Sequence, residues 1–308
     1  MTIDLGCSFA GLNLRNPILV ASGTYGSGLE AAPLADLSRI GGVVTKSVTT
    51  KARRGNPAPR IYETNGGMLN SIGLMNPGAD GFAAKVLQEF THLPCARILN
   101  IAGESVDDFA TLTQRFGAVE GVDALELNVS CPNVSGGLDF GTRPAELTAL
   151  VRECRGRTQR PLIVKLTPNV TDIVELAQAA VAGGADALSL VNTYQGMAVD
   201  WRRKRPELGS PSGMGGLSGP AIKPLALAAL WRVRRAVSVP LIGIGGIRNA
   251  DDVMEFIVCG ASAVQLGTAN FADPAAPVQV AAALDALCRR EGISVLRELV
   301  GSLQVPRA

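Results

Sequence analysis

The stretch PLIVKLTPNVTDIVELAQAAVAGGADALSLV, residues 161–191, decides the fold. It opens on a short β-branched apolar run, PLIVKL (161–166), too short for a helix and bounded by proline and polar residues, as a buried parallel strand is. TDIVELAQAAVAGG (171–184) then takes the three-to-four-residue spacing of an amphipathic helix, starting on a cap and stopping on glycine. ADALSLV (185–191) returns to the strand pattern. Strand, helix and strand in this order make one βαβ unit, which requires a parallel sheet.

The same unit recurs on both sides. Apolar runs lie at PILVAS (17–22), GGVVTKS (41–47), ARILNIA (96–102), VDALELN (122–128), PLIGIGG (240–246) and ASAVQLG (261–267), which brings the total to eight. Helical patterns cover VDDFATLTQRF (106–116, after a Ser105 cap), PAELTALVRECRG (144–156), PAIKPLALAALWRVRRAV (220–237), NADDVMEFIVCG (249–260) and APVQVAAALDALCRREG (276–292). Eight strands alternating with helices, with no break in composition, predict one α/β domain over 1–308, a closed (β/α)8 TIM barrel. Residues 48–77 and 193–219 each separate a strand from its following helix and are longer than a simple connection needs. Both leave strand C-termini, where barrel active sites form, so they are expected to be long inserted loops covering the site at the C-terminal face.

Composition narrows the function. Of the 308 residues, 47% are hydrophobic and 18% charged, which suits a large core and excludes global disorder. The net charge is +2 and the short basic run WRRKRPE (201–207) stands isolated, so no nucleic-acid partner is expected; aromatics, at 4%, are too scarce for a base-stacking surface. No signal peptide opens the sequence and no apolar run spans a bilayer, so a soluble, cytoplasmic protein without a membrane partner is expected. The six cysteines, at 7, 95, 131, 154, 259 and 288, form no Cys-x-x-Cys pair, and the one histidine, His92, has no ligand-like neighbours. A reducing compartment and no metal site follow.

Polar residues collect at the strand ends: Lys46, Asn100, Asn128, Lys165 and Asn192 close the second to sixth strands. Each alone is an ordinary strand terminator, but five on one face converge on a shared ligand. The last two strands run into GIGGIRN (243–249) and LGTANF (266–271), where glycines admit a close backbone approach and helix starts offer N–H groups to a phosphate. No Gly-x-Gly-x-x-Gly turn follows the first strand and no Walker motif occurs, so the phosphate points to a mononucleotide such as FMN. Lys165 would suit the flavin's pyrimidine side, where a positive charge favours the reduced form. The loop NVSCPNVSGG (128–137) adds a thiol, Cys131, between Asn128 and Asn133, past the end of its apolar strand, where a structural cysteine would not sit.

NVSCPN, KSVTTKARRGNPAPRIYETNGGMLNSIGLMNPG, VKLTPNVTDI and GGLSGPAIKP, in this order and over nearly the whole chain, resemble the dihydroorotate dehydrogenase family. The resemblance implies an FMN-containing barrel that oxidises dihydroorotate to orotate in pyrimidine (UMP) biosynthesis. Residue by residue it implies FMN contacts at Ser22, Lys46, Ser47, Asn100, Asn128, Lys165, Val191, Gly219, Gly245, Gly246, Gly267 and Thr268. Implied substrate contacts are Lys46, Asn70, Ser71, Ile72, Gly73, Leu74, Asn128, Asn133, Asn192 and Thr193, with Cys131 as the base. Cysteine rather than serine at 131 sets the chain apart from the membrane-bound type, and VNTYQGM and GGLSGPAIKP are similar to the NAD-linked catalytic subunit (class 1B). That type pairs with a separate FAD and iron–sulfur (2Fe-2S) subunit, implying a homodimer within a heterotetramer. Met75 stands where the family often has Gln. The fumarate-dependent type (class 1A), a dihydropyrimidine dehydrogenase-like flavoprotein, and a phosphate-binding aldolase or isomerase remain alternatives.

Overall fold

The computed structural model describes residues 3–130 and 140–305. Cys131 and Asn133 lie outside the described residues. Eight strands close a barrel: β1 (Ile18–Val20), β2 (Gly42–Val44), β3 (Ala96–Ile101), β4 (Ala124–Asn128), β5 (Leu162–Lys165), β6 (Ala187–Leu190), β7 (Leu241–Ile244) and β8 (Ala261–Leu266). Each pairs in parallel with its neighbours in chain order, and β8 closes on β1. Every strand falls inside an expected apolar run.

The helices follow the expected starts. Val106–Gly117 begins at Ser105, whose hydroxyl accepts the Asp108 N–H at 3.1 Å. Ile173–Gly183 begins at Asp172, whose carboxylate accepts the Val174 N–H at 3.0 Å, and ends at Gly184 in the left-handed conformation with φ +100°. A left-handed residue there suits glycine, which lacks the Cβ that would clash. Two expectations need adjusting. The segment expected as one helix over 220–237 is a 3₁₀ turn, Pro220–Ile222, followed by a helix, Lys223–Arg234. Pro224 has no N–H to donate, so it is accommodated in the first turn of the second piece. Between β1 and β2 the alternation with α-helices lapses: turns and a single 3₁₀ turn, Leu37–Arg39, fill that place.

One inward side chain from each barrel strand forms a single apolar layer: Leu19, Val44, Ile98, Ala124, Ile163, Ala187, Ile242 and Ala263. An N-terminal hairpin, Cys7–Phe9 with Leu12–Leu14, seals this end by packing Phe9, Leu12 and Leu14 against the layer. The hairpin was not legible in the sequence. A larger apolar cluster fills the space between the strands and the outer helices.

At the opposite end the two long connections join each other. Ile61–Thr64, Gly67–Asn70, Gly215–Ser218 and Tyr194–Gly196 make one antiparallel sheet, so the expected covering loops are an ordered structure. Glycines permit this packing: a Cβ on Gly67 would overlap the Ser218 carbonyl oxygen, and one on Gly216 would overlap the Thr193 hydroxyl.

Candidate functional site

Two residues beyond the apolar layer, alternation turns the next inward side chains toward the same axis. These are Asn100 on β3, Glu126 on β4, Lys165 on β5, Ser189 on β6 and Gln265 on β8, all buried. Glu126 is the hub. Its Oε1 accepts from Asn100 Nδ2 at 2.7 Å, and its Oε2 accepts from Ser189 Oγ and Gln265 Nε2, each at 2.8 Å. Each amide gives one N–H to this carboxylate, and Asn100 Oδ1 and Gln265 Oε1 are left buried without a partner. Lys165 Nζ donates to Ser22 Oγ at 3.2 Å. Burial pushes the Lys165 pKa down, and the charge of Glu126 opposes that shift.

Asn128 lies one further step along β4, at the rim. Its Nδ2 donates to Ser47 Oγ at 3.1 Å and its Oδ1 accepts from Asn192 Nδ2 at 3.2 Å. Asn192 turns its own carbonyl to the Thr193 N–H at 2.9 Å. Lys46, next to Ser47, is half-buried, and burial first and Arg60 second lower its pKa. Val191 is buried beside a cis Leu190–Val191 peptide.

The run Asn70–Leu74 continues from the cover sheet. Asn70 Nδ2 donates to the Gly216 carbonyl at 3.2 Å, and Ser71 Oγ accepts from Asn56 Nδ2 at 2.9 Å. Gly73 and Leu74 both adopt positive φ, +70° and +54°. Asn76 clips this turn to the end of β2: its side chain bonds Thr49 through both its oxygen and its nitrogen, and also the Leu74 carbonyl and the Gly78 N–H. Through Gly216 and Thr193 the run connects to Asn192 and Asn128.

Gly219, Gly245, Gly246, Gly267 and Thr268 converge on one side. A Cβ on Gly246 would come within 2.9 Å of the Gly219 carbonyl, and one on Gly219 within 3.5 Å of Thr268 Cγ2. Gly245 and Gly246 have φ of +134° and +75°, a backbone path open to glycine. Thr268 Oγ1 donates to Ser218 Oγ at 2.8 Å, tying this side to the cover sheet. The start of helix Ala250–Val258 is already occupied: Asn249 caps the Asp252 N–H and Asp252 caps the Arg248 N–H.

The structure thus gathers the described sequence-predicted residues at one end of the barrel. Sequence reasoning missed Glu126, Ser189, Gln265 and the Asn76 clip. The signal for Glu126 was present, because a carboxylate inside ALELN shares the inward face with Asn128. The acceptors without partners, the buried cation and the glycine turns fit a planar, N–H-bearing group with an attached phosphate, such as a flavin mononucleotide.

Residues 4–287 match the family model described as dihydroorotate dehydrogenase. The chain is 50% identical over 305 residues to a protein of Trichlorobacter lovleyi named dihydroorotate dehydrogenase B (NAD(+)), catalytic subunit, covering 99% of this chain and 98% of that one. A protein of the same name from Desulforudis audaxviator is 50% identical over 98% of both chains. Among solved structures, DHODH from Eimeria tenella in complex with ferulenol superposes with a TM-score of 0.81 at 23% identity, covering 97% of this chain and 88% of that one. That last likeness supports the fold.

Proposed function

The chain belongs to the dihydroorotate dehydrogenase family, and on that premise we propose that residues 1–308 form one FMN-binding barrel domain, the catalytic subunit of a NAD-linked dihydroorotate dehydrogenase in pyrimidine biosynthesis. The observation that carries the FMN reading is the polar layer beneath the mouth, where two buried amide oxygens lack partners beside a buried lysine. FMN, when bound, supplies the acceptor for the hydride that leaves C6 of the substrate.

Ser22, Lys46, Ser47, Asn100, Asn128, Lys165 and Val191 would hold the flavin ring. Gly219, Gly245, Gly246, Gly267 and Thr268 would leave room for its phosphate. Dihydroorotate is a cyclic ureide with one carboxylate. Asn128, Asn133 and Asn192 each offer a donor and an acceptor, which matches the N–H and C=O edges of that ring. Asn70, Ser71, Ile72, Gly73 and Leu74 would close over it, and Thr193 would flank it. Lys46 brings the charge that the carboxylate needs.

Cys131 would take the proton from C5 as the hydride leaves C6, so that the C5–C6 bond becomes the double bond of orotate. The other cysteines are poor candidates. Burial pushes Cys7 and Cys95 up to about 12 and Cys154 up to about 11, which keeps them as neutral thiols. A thiol near its ordinary pKa of about 8.5 is only a few per cent thiolate at neutral pH, so turnover should rise with pH as Cys131 ionises. Electrons would then pass to a separate FAD and iron–sulfur subunit and on to NAD, in a cytoplasmic heterotetramer built on a homodimer of this chain. The term "catalytic subunit" in the relatives' names supports such a partner.

The test is anaerobic addition of dihydroorotate to the purified protein. A yellow protein that bleaches supports the reading; a colourless protein, or one whose spectrum does not change, sinks it. Cys131→Ala should retain flavin and slow the bleaching by orders of magnitude. Without the partner the chain should reduce dyes but scarcely NAD, and fumarate should not substitute as acceptor.

A further inference from the structure

Glu126 has no part in the chemistry above, yet it is fully buried at the centre of the layer below the mouth. Natural barrels can fill this level with apolar side chains, and a buried carboxylate is costly unless its oxygens are satisfied. Here three neutral donors from three other strands satisfy them. An ionised carboxylate accepts and cannot donate, so it fixes which way round the two amides sit. With their nitrogens drawn to Glu126, Asn100 and Gln265 turn their unpaired oxygens away from it.

Lys165 is the second group that Glu126 acts upon. The charged side chain that acts on it is Glu126 from β4. Ser22, Asn100, Ser189 and Gln265 face it from the neutral side, and β7 contributes the apolar Ile244. Glu126 is the acid in this set that favours the lysine's charged form.

We propose that Glu126 is a positioning residue of the cofactor site: one buried carboxylate that turns the Asn100 and Gln265 oxygens toward the ligand's hydrogen-bond donors, in the same layer as Lys165. The inference rests on the FMN reading of this site. Replacing the carboxylate by an amide would let each neighbouring amide flip and would remove the charge facing Lys165.

The experiment measures FMN dissociation by flavin fluorescence from about pH 6 to about pH 10, in the unsubstituted protein, Glu126→Gln, Lys165→Met and Gln265→Met. E126Q should weaken FMN by about tenfold or more, the loss expected for a charge-assisted hydrogen-bond centre. Its affinity should fall off with rising pH at a lower midpoint than in the unsubstituted protein, because the charge that opposes the lowering of the Lys165 pKa is gone. K165M should bind weakly with no such midpoint. Gln265→Met, which keeps the carboxylate, should weaken FMN and leave the midpoint in place; this variant also serves if E126Q does not fold. An unchanged FMN constant in E126Q or Q265M overturns the proposal. So does an E126Q loss that is equal at every pH, since a purely structural role would give it. If the unsubstituted protein itself binds no FMN, the cofactor reading fails instead.

Discussion

Lys46 carries a charge to the mouth only below its own pKa, which burial and then Arg60 both lower. The sign follows: a protonated Lys46 would attract the substrate carboxylate in the proposed site, and that attraction would fade as pH rises through the lowered pKa. The KM for dihydroorotate should therefore climb on the alkaline side, below the pH where an ordinary lysine titrates, near 10.4. Lys46→Met should raise KM at neutral pH by about tenfold and flatten that climb; a KM that still climbs in the variant would assign it to another group. Against the rise in turnover from Cys131, kcat/KM should be bell-shaped. Residues of this kind were legible because Lys46, Asn128, Lys165 and Asn192 are polar at the ends of apolar runs. Ser189 and Gln265 were not, because each lies inside a strand buried on both faces with no second polar residue to mark the inward side; for Glu126 the alternation with Asn128 was the one signal.

Elements were read with uneven success for a comparable reason. Parallel strands announce themselves as short continuous apolar runs, and all eight fell within the expected limits. The cover sheet has no such signature: GMLN and GGLS are short and glycine-rich, and their pairing joins segments about 150 residues apart. Its stability depends on backbone approach, which gives a test at this scale. Gly67→Ala would drive a Cβ into the Ser218 carbonyl and part the strands Gly67–Asn70 and Gly215–Ser218. That releases Asn70–Leu74 from the mouth while leaving the barrel intact. KM for dihydroorotate should rise by about tenfold, and flavin should be held more weakly too, because Ser218 adjoins Gly219 and bonds Thr268. An unaltered KM would mean that the sheet does not position the substrate run.

The whole molecule separates stability from chemistry along the barrel axis. At one end the hairpin residues Phe9, Leu12 and Leu14 close an apolar layer drawn from all eight strands, and at the other the polar layer opens to the cover sheet. Between them five strands change from apolar to polar in two residues, as from Ile98 to Asn100 or from Ile163 to Lys165, while β7 stays apolar at Ile244. A substitution at the closed end should therefore act on folding without reaching the site. Phe9 is 5% exposed, and Phe9→Ala should cost about 3 kcal/mol of stability, because it empties space in a layer whose neighbours can collapse only partly. Denaturant unfolding would read that loss. FMN affinity and the KM for dihydroorotate should stay within about twofold of the unsubstituted protein wherever the variant remains folded, since additivity holds for sites without shared partners. A Phe9→Ala protein of full stability but altered KM would contradict this division. It would mean that packing in the sealed layer is transmitted through Ala124 and Ile163 to Glu126 and Lys165 above them.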